Sequence, residues 1–153
     1  MKNISRKLFE IQKEIDVQPK EGYNEFNNYP FLTEKQVTIL IKGLMDKHGV
    51  RFEYSSEEKS KDQFTSKSGG IQFLVTVEVT YAFEDVDSGE IKCGKVTGWG
   101  SDSGDKGGYK AVTGAIKYLY MKTFNIPTGD DAEKDSPELG KKVVLSNKSD
   151  SPF

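Results

Sequence analysis

Ile71-Gln72-Phe73-Leu74-Val75-Thr76-Val77-Glu78-Val79-Thr80-Tyr81-Ala82-Phe83 is the stretch that decides the fold. Apolar side chains fill every odd position, with Gln72, Thr76, Glu78 and Thr80 between them. That period of two predicts a long strand with one face inward. On its C-terminal side, Asp85-Val-Asp-Ser-Gly-Glu90 carries turn residues and Ile91–Trp99 reads as a returning strand. Gly94 and Gly98 within that strand predict a bulge or a close backbone approach. On the N-terminal side, Val50–Ser55 predicts a short strand. Ser56–Gly70, charged and rich in serine and glycine, is expected to be a long loop.

Helices flank this β region. Ile4, Leu8, Ile11 and Ile15 recur at helical spacing and predict an amphipathic helix over Asn3–Asp16, ended by Pro19 and Gly22. Glu21–Pro30 is expected to be an ordered loop pinned by Tyr23, Phe26 and Tyr29. Thr33-x-x-Gln36 is a capping-box pattern in which Thr33 accepts from the Gln36 amide. Val37, Leu40, Ile41, Leu44, Met45 and His48 continue one apolar face, and Gly49 stands where a C-terminal cap belongs. A further helix runs from about Gly107 to Phe124. The fold expected is α+β: two helices, a three-stranded antiparallel sheet, and a long C-terminal helix packed on it. Residues 1–127 are expected to form one domain, and residues 128–153, acidic with Ser, Pro and Lys, a flexible tail.

The chain has 153 residues, which matches a single domain of roughly 100–200 residues. Hydrophobic residues make up 35% and charged residues 30%, polar for a globular domain but above the disordered range. No apolar run approaches the ~20 residues of a membrane span, and Met1–Glu10 lacks the apolar region of a secretory signal. One cysteine, Cys93, excludes an internal disulfide framework. With His48 as the sole histidine, no His/Cys zinc cluster is available. A cytoplasmic protein without a membrane partner is expected.

Several motif resemblances fail on context. Gly89-x-x-x-x-Gly94-Lys95 ends in Val96, where a phosphate loop needs Ser or Thr, and it lies inside a strand. Asp85-x-Asp87-x-Gly89 opens like a calcium loop, but its glycine is one place early and Val96 stands where the bidentate Glu belongs; a hairpin turn fits better. Asp102, Asp105, Asp130 and Asp131 offer carboxylates for a metal-dependent nuclease, although acids in such segments more often form turns and caps. His48 reads as packed or capping, and Cys93, at an apolar alternating position, as core. No cofactor, metal site or catalytic residue is expected.

The strongest feature is Gly98–Gly108, with five glycines, running into the last helix. Such a loop lets backbone N–H groups approach an anion, and a helix N-terminus adds its positive end. Lys106, Lys110, Thr113 and Lys117 then form a stripe, with Ala111, Ala115 and Leu119 off it to pack on the sheet. The net charge of −2, from 22 basic and 24 acidic residues, hides an asymmetry. Residues 91–127 hold six lysines against two aspartates, whereas residues 1–90 hold 12 basic and 16 acidic residues. Trp99, Tyr109 and Tyr120 are interleaved with that positive charge, and Tyr118 reads as core. Lysines beside aromatics suit single-stranded nucleic acid, whose unpaired bases stack on rings.

Gly104-Asp-Lys106, Lys110-Ala-Val-Thr-Gly-Ala-Ile-Lys-Tyr118, and Phe124-Asn-Ile-Pro127 followed by Asp130-Asp131 resemble the ERF (essential recombination function) family of bacteriophage single-strand annealing proteins. Leu8-x-x-Ile11 and Lys47-His48-Gly49 are similar in outline, so the resemblance spans about Leu8–Asp131. It implies a strand-annealing-protein-like fold that binds single-stranded DNA without ATP and promotes pairing of complementary strands. It also implies a homo-oligomer, ring or helical filament, acting in the host cytoplasm beside a phage exonuclease or host single-strand binding protein. The DNA-binding groove would comprise Lys92, Lys95, Trp99, Gly104, Lys106, Gly107, Gly108, Tyr109, Lys110, Thr113 and Lys117. The alternatives are a double-stranded RNA binding module, which shares the helix, three strands, helix order, a metal-dependent nuclease, and a basic module for an acidic protein partner.

Overall fold

A computed structural model describes residues 3–128 of the chain. Its helices are α1 (Ile4–Lys13), α2 (Glu34–His48) and α3 (Gly107–Thr123). A small hairpin, β1 (Gly22–Asn24) and β2 (Tyr29–Phe31), precedes α2. Strands β3 (Val50–Thr65), β4 (Ile71–Asp85) and β5 (Ile91–Asp102) form an antiparallel sheet in the order β3-β4-β5. The α+β architecture with α3 packed on the sheet is as the sequence predicts. The tail read at residues 128–153, with Asp130 and Asp131, lies outside the described residues apart from Thr128.

Helix boundaries follow local chemistry. Asn3 caps α1 by accepting from the Arg6 amide, and Thr33 caps α2 by accepting from the Gln36 amide at 3.0 Å. The Gln36 side chain does not complete a reciprocal box. It donates instead to the Pro19 carbonyl, while its Oε1 accepts from the Glu21 amide. Gly49 ends α2 with φ 67°, a left-handed conformation that glycine adopts without a Cβ penalty. His48 and Lys47 both bind Glu14, tying α2 to the end of α1 and holding that carboxylate below its usual range.

The strand expected from Ile71 to Phe83 is β4, with Val75, Val77, Val79 and Phe83 buried and Ile71 exposed at its start. The long loop expected at Ser56–Gly70 is corrected: β3 continues to Thr65, paired with β4 throughout, with an irregularity between Glu58 and Ser60. From Glu53 onward β3 is exposed. The segment shows no apolar period because backbone pairing holds it and no side-chain face is buried. Glu21–Pro30 is likewise not a loop pinned by its rings. It forms the β1–β2 hairpin, and Tyr23, Phe26 and Tyr29 face solvent.

Two clusters make the core. Val75, Val77 and Val79 of β4 pack on Ala111 and Ala115 of α3. Ile4, Ile11, Leu32, Val37, Ile41, Phe83, Tyr120 and Phe124 form the larger one, in which Phe52, Phe83, Phe124 and Tyr120 meet ring to ring. Tyr118 and Tyr120 therefore exchange the places expected of them. Tyr118 is exposed, whereas Tyr120 continues the inward face from Ile116 and has its hydroxyl pKa pushed up by burial. Cys93 is exposed rather than core, because it pairs with Ala82 on the side of the sheet away from α3.

Gly98 fulfils the close-approach reading against α3, Gly94 lies under the Tyr81 side chain, and Gly100, expected in the loop, makes a second close contact with α3. A Cβ on Gly98 would overlap the Ala111 carbonyl and lie 2.7 Å from the Ala115 Cβ; one on Gly100 would overlap the Gly107 carbonyl and lie 2.6 Å from the Ala111 nitrogen. The helix thus rests on the strand backbone itself. A second fixed point is Lys7, whose ammonium donates to Asp85 Oδ1 at 2.7 Å and to Asp87 Oδ2 at 2.8 Å. The Asp85-x-Asp87 turn closes the β4–β5 hairpin, and its nearest cation is this ammonium. Asp85 is fully buried, and its Oδ2 makes no hydrogen bond among the described residues. Lys7 lowers the Asp85 pKa, and its own is raised by the two aspartates.

Gly98→Ala should lower stability by about 1–3 kcal/mol through overpacking, read as a lower urea midpoint. Gly114→Ala, with nothing within 4 Å of its Cβ position, should leave stability unchanged or raise it by up to about 1 kcal/mol. Equal midpoints for the two variants would contradict the packing described. The Asp85 contribution is present above the ordinary aspartate value of 3.8 and is lost as pH falls through its lower folded value. Lys7→Met should reverse that sign, since an unpaired buried carboxylate is relieved by protonation. Acid unfolding curves of the two proteins check this.

Candidate nucleic-acid interface

The loop between β5 and α3 spans only 103–106, so the five glycines do not form one flexible segment. Gly98 and Gly100 lie within β5, Gly104 in the loop, and Gly107 and Gly108 in the first turn of α3. Gly107 is buried against Val75, where a Cβ would come within 2.9 Å; its lack of a side chain serves packing. The region expected to offer bare amides to an anion is instead organised by Asp102. Its Oδ2 accepts from the Gly104 amide at 2.9 Å and the Lys106 amide at 3.4 Å, and its Oδ1 takes the Lys110 ammonium at 2.6 Å. Lys110 and these two amides hold the Asp102 pKa at about 2, so the group stays ionised at any ordinary pH. The Asp102-Ser-Gly104 spacing is a sequence signal for this turn.

Beyond Asp102, α3 presents the stripe expected of it. Asp105, Lys106, Tyr109, Lys110, Thr113 and Gly114 line an open depression along the first half of the helix. Tyr109 is 78% exposed at its rim. One turn on, Lys117 is partly buried, with its ammonium 5.2 Å from the centre of the Phe31 ring and 5.1 Å from that of Tyr118. Burial lowers its pKa. Among the described residues, Lys106 and Lys117 form no ion pair with a carboxylate. Phe31 is remote in sequence from α3, so nothing local points to this contact.

The remaining residues of the expected groove lie elsewhere. Side chains alternate along a strand, and Gly98 and Gly100 face α3, so Trp99 and Lys95 project from the opposite side of the sheet. Trp99 is 62% exposed there, and Lys95 pairs with Glu78 at 3.2 Å. Lys92 sits at the start of β5, in a shallow pocket with Leu8, Phe9 and Gln12 of α1. It is separated from Lys106 by most of a strand advancing about 3.3 Å per residue. The expected set is thus brought together in part: Lys106, Tyr109, Lys110, Thr113 and Lys117 share one side of α3, with Gly104 joined to it through Asp102, whereas Gly107 serves packing, Gly108 lies round the first turn, and Lys92, Lys95 and Trp99 do not join them.

Chemically, the α3 face offers two ammonium groups without carboxylate partners among the described residues, a third shared with Asp102, a hydroxyl, and exposed aromatic rings. That combination suits a polyanion carrying flat groups. Asp102 directs its oxygens to Gly104, Lys106 and Lys110, and no group of three His, Cys, Asp or Glu side chains among the described residues is arranged to hold a metal ion. No helix among them is long and apolar enough to cross a membrane.

The chain matches the family model of the ERF superfamily over residues 4–151. No curated protein and no solved structure matches the chain.

Asp102→Asn keeps an acceptor for the Gly104 amide while removing the charge that neutralises Lys110. It should tighten binding of an oligonucleotide several-fold at low salt, where each unmatched surface cation counts most. Titrations at low and high salt check this; weaker binding would show that Asp102 supports the interface by positioning Lys110.

Proposed function

The chain belongs to the ERF superfamily, and on that footing we propose that it binds single-stranded DNA and anneals complementary strands without ATP in phage recombination. The observation that carries this reading is the α3 face, where Lys106, Lys110 and Lys117 follow one another at helical spacing with Tyr109 and Tyr118 beside them. Lys106 and Lys110, one turn apart at about 5.4 Å, and Lys117, two turns further on, follow the phosphates of an extended strand, and exposed rings supply surfaces for its bases. Neutralising phosphates lowers the repulsion between two strands, and base pairing then drives the reaction. This mechanism assigns no bond-breaking step to the protein.

The DNA path in this proposal follows α3. Lys92, Lys95 and Trp99, on other surfaces, are left to a second segment of DNA or a neighbouring protomer. Each protomer offers few phosphate contacts, so avidity through a homo-oligomer is part of the reading; sedimentation with and without DNA tests it. Residues 1–127 are proposed as the annealing unit, to be compared with the full chain in the same assay.

Lys106→Ala with Lys110→Ala should weaken binding to all single-stranded sequences alike. At about 0.7 per phosphate contact on single strands, it should flatten the log–log salt slope by about 1.4. Loss of nucleotide-free annealing should accompany it. An unchanged slope would remove α3 from the DNA path, and tighter binding of duplex RNA than of single-stranded DNA would favour a double-stranded RNA binding module.

A further inference from the structure

The β1–β2 hairpin carries aromatic side chains that the core does not use. In Gly22-Tyr-Asn-Glu-Phe-Asn-Asn-Tyr-Pro-Phe31, Phe26 at the turn is 96% exposed, and Tyr23 and Tyr29 are also exposed. The residue that anchors the segment is Leu32, just after it, which is buried in the larger core cluster. The hairpin is nonetheless held in shape. Gln36 braces its base at Pro19 and Glu21, the Asn24 side chain accepts from the Asn27 amide at 2.9 Å, and Tyr23 donates its hydroxyl hydrogen to Asn28. Three rings, Tyr23, Phe26 and Tyr29, are held on a braced hairpin and left in water, with Tyr23 on the face opposite Tyr29 and the half-buried Phe31.

Charge identifies an occupant for this surface. The register pairs Gly22 with Phe31 and Asn24 with Tyr29, so Phe31 and Tyr29 share a face of the hairpin. Their rings meet edge to face at 6.3 Å. Phe31 then abuts the Lys117 ammonium, which forms no ion pair among the described residues, and Tyr118 flanks the same ammonium from α3. The row Tyr29, Phe31, Lys117 and Tyr118 therefore joins the hairpin to the lysine stripe at a partly desolvated cation. A ligand meeting this junction must bring an anion and flat apolar groups together, as a single-stranded polynucleotide does.

We propose that the β1–β2 hairpin is a base-stacking arm that continues the α3 path for single-stranded DNA. Phe26 and Tyr29 take unpaired bases, and Lys117 takes the phosphate between the hairpin and the helix. This rests on the function proposed above and adds a second element to it. Glu25, the carboxylate next to Phe26, keeps the arm from binding by charge alone and makes ring stacking its principal contribution.

The test compares an oligothymidylate with an abasic strand of equal length, read by anisotropy at several salt concentrations. The full-length protein should prefer the strand with bases. Phe26→Leu with Tyr29→Leu keeps apolar bulk but removes the flat rings. It should bind the oligothymidylate about tenfold more weakly, bind the abasic strand as before, and keep the salt slope. Lys117→Ala should weaken both strands alike and flatten the slope, and both variants should retain the far-ultraviolet circular dichroism of the parent. A ring variant that still discriminates between the strands like the parent overturns the proposal. So does one whose sedimentation changes while its DNA affinity does not, which would make a second copy of the chain the occupant. If the parent protein binds neither strand, the annealing function itself fails and the arm with it. That outcome is distinct from a parent that binds DNA with no preference for bases, which refutes the arm alone.

Discussion

Contact between α3 and the backbone of β5, made possible by the missing side chains of Gly98 and Gly100, is the constraint on which the other features rest. With no side-chain layer between them, the helix needs only Ala111 and Ala115 inward over its first half. Its remaining positions there are released for Lys106, Tyr109, Lys110 and Thr113. Beyond Ile116 the helix passes over the larger core, where Tyr120 and Phe124 fill the space among Phe52 and Phe83. The small residues and the large rings are two halves of one arrangement. The helix hugs the sheet near β5's end and is wedged by aromatics at the other.

Charge is distributed with the same unevenness. Lys7 is taken up inside the fold by Asp85 and Asp87, Lys95 is matched by Glu78 across the sheet, and Lys47 serves Glu14 between α1 and α2. These pairs are structural, and the buried one holds α1 to the turn that closes β4 and β5. On α3, among the described residues, the matching stops at Lys110. A net charge of −2 is thus compatible with a helix face whose field is positive, because much of the acidity lies on other surfaces, including the exposed length of β3.

What could be read in the sequence was what depends on neighbours along the chain. The alternation of β4, the Thr33 and Gly49 caps of α2, and the Ala111, Ala115 and Leu119 face of α3 are local patterns, and each is found where expected. The second half of β3 was not legible, since Ser56–Thr65 buries no side chain and owes its conformation to pairing with β4. Gly100, Gly107 and Gly108 are not separable from a loop in the sequence, because composition does not distinguish glycine used for turning from glycine used for close contact. Tyr118 and Tyr120 differ by two residues on one helix, and only the position of Phe52 and Phe83 decides which is enclosed. Of the interface, the lysine stripe was legible from helical spacing. The part made by Phe31 and the division of Trp99 and Lys95 onto another face required the tertiary fold.

Asp102 sits on the Gly104 and Lys106 amides and on the Lys110 ammonium, the donors a phosphate would use. A phosphate arriving there substitutes one anion for another, so the free energy of that contact is a difference between two similar terms and stays small. The fold thus carries its own occupant for that anion position, and an incoming anion gains only the margin by which it binds those donors better than Asp102 does.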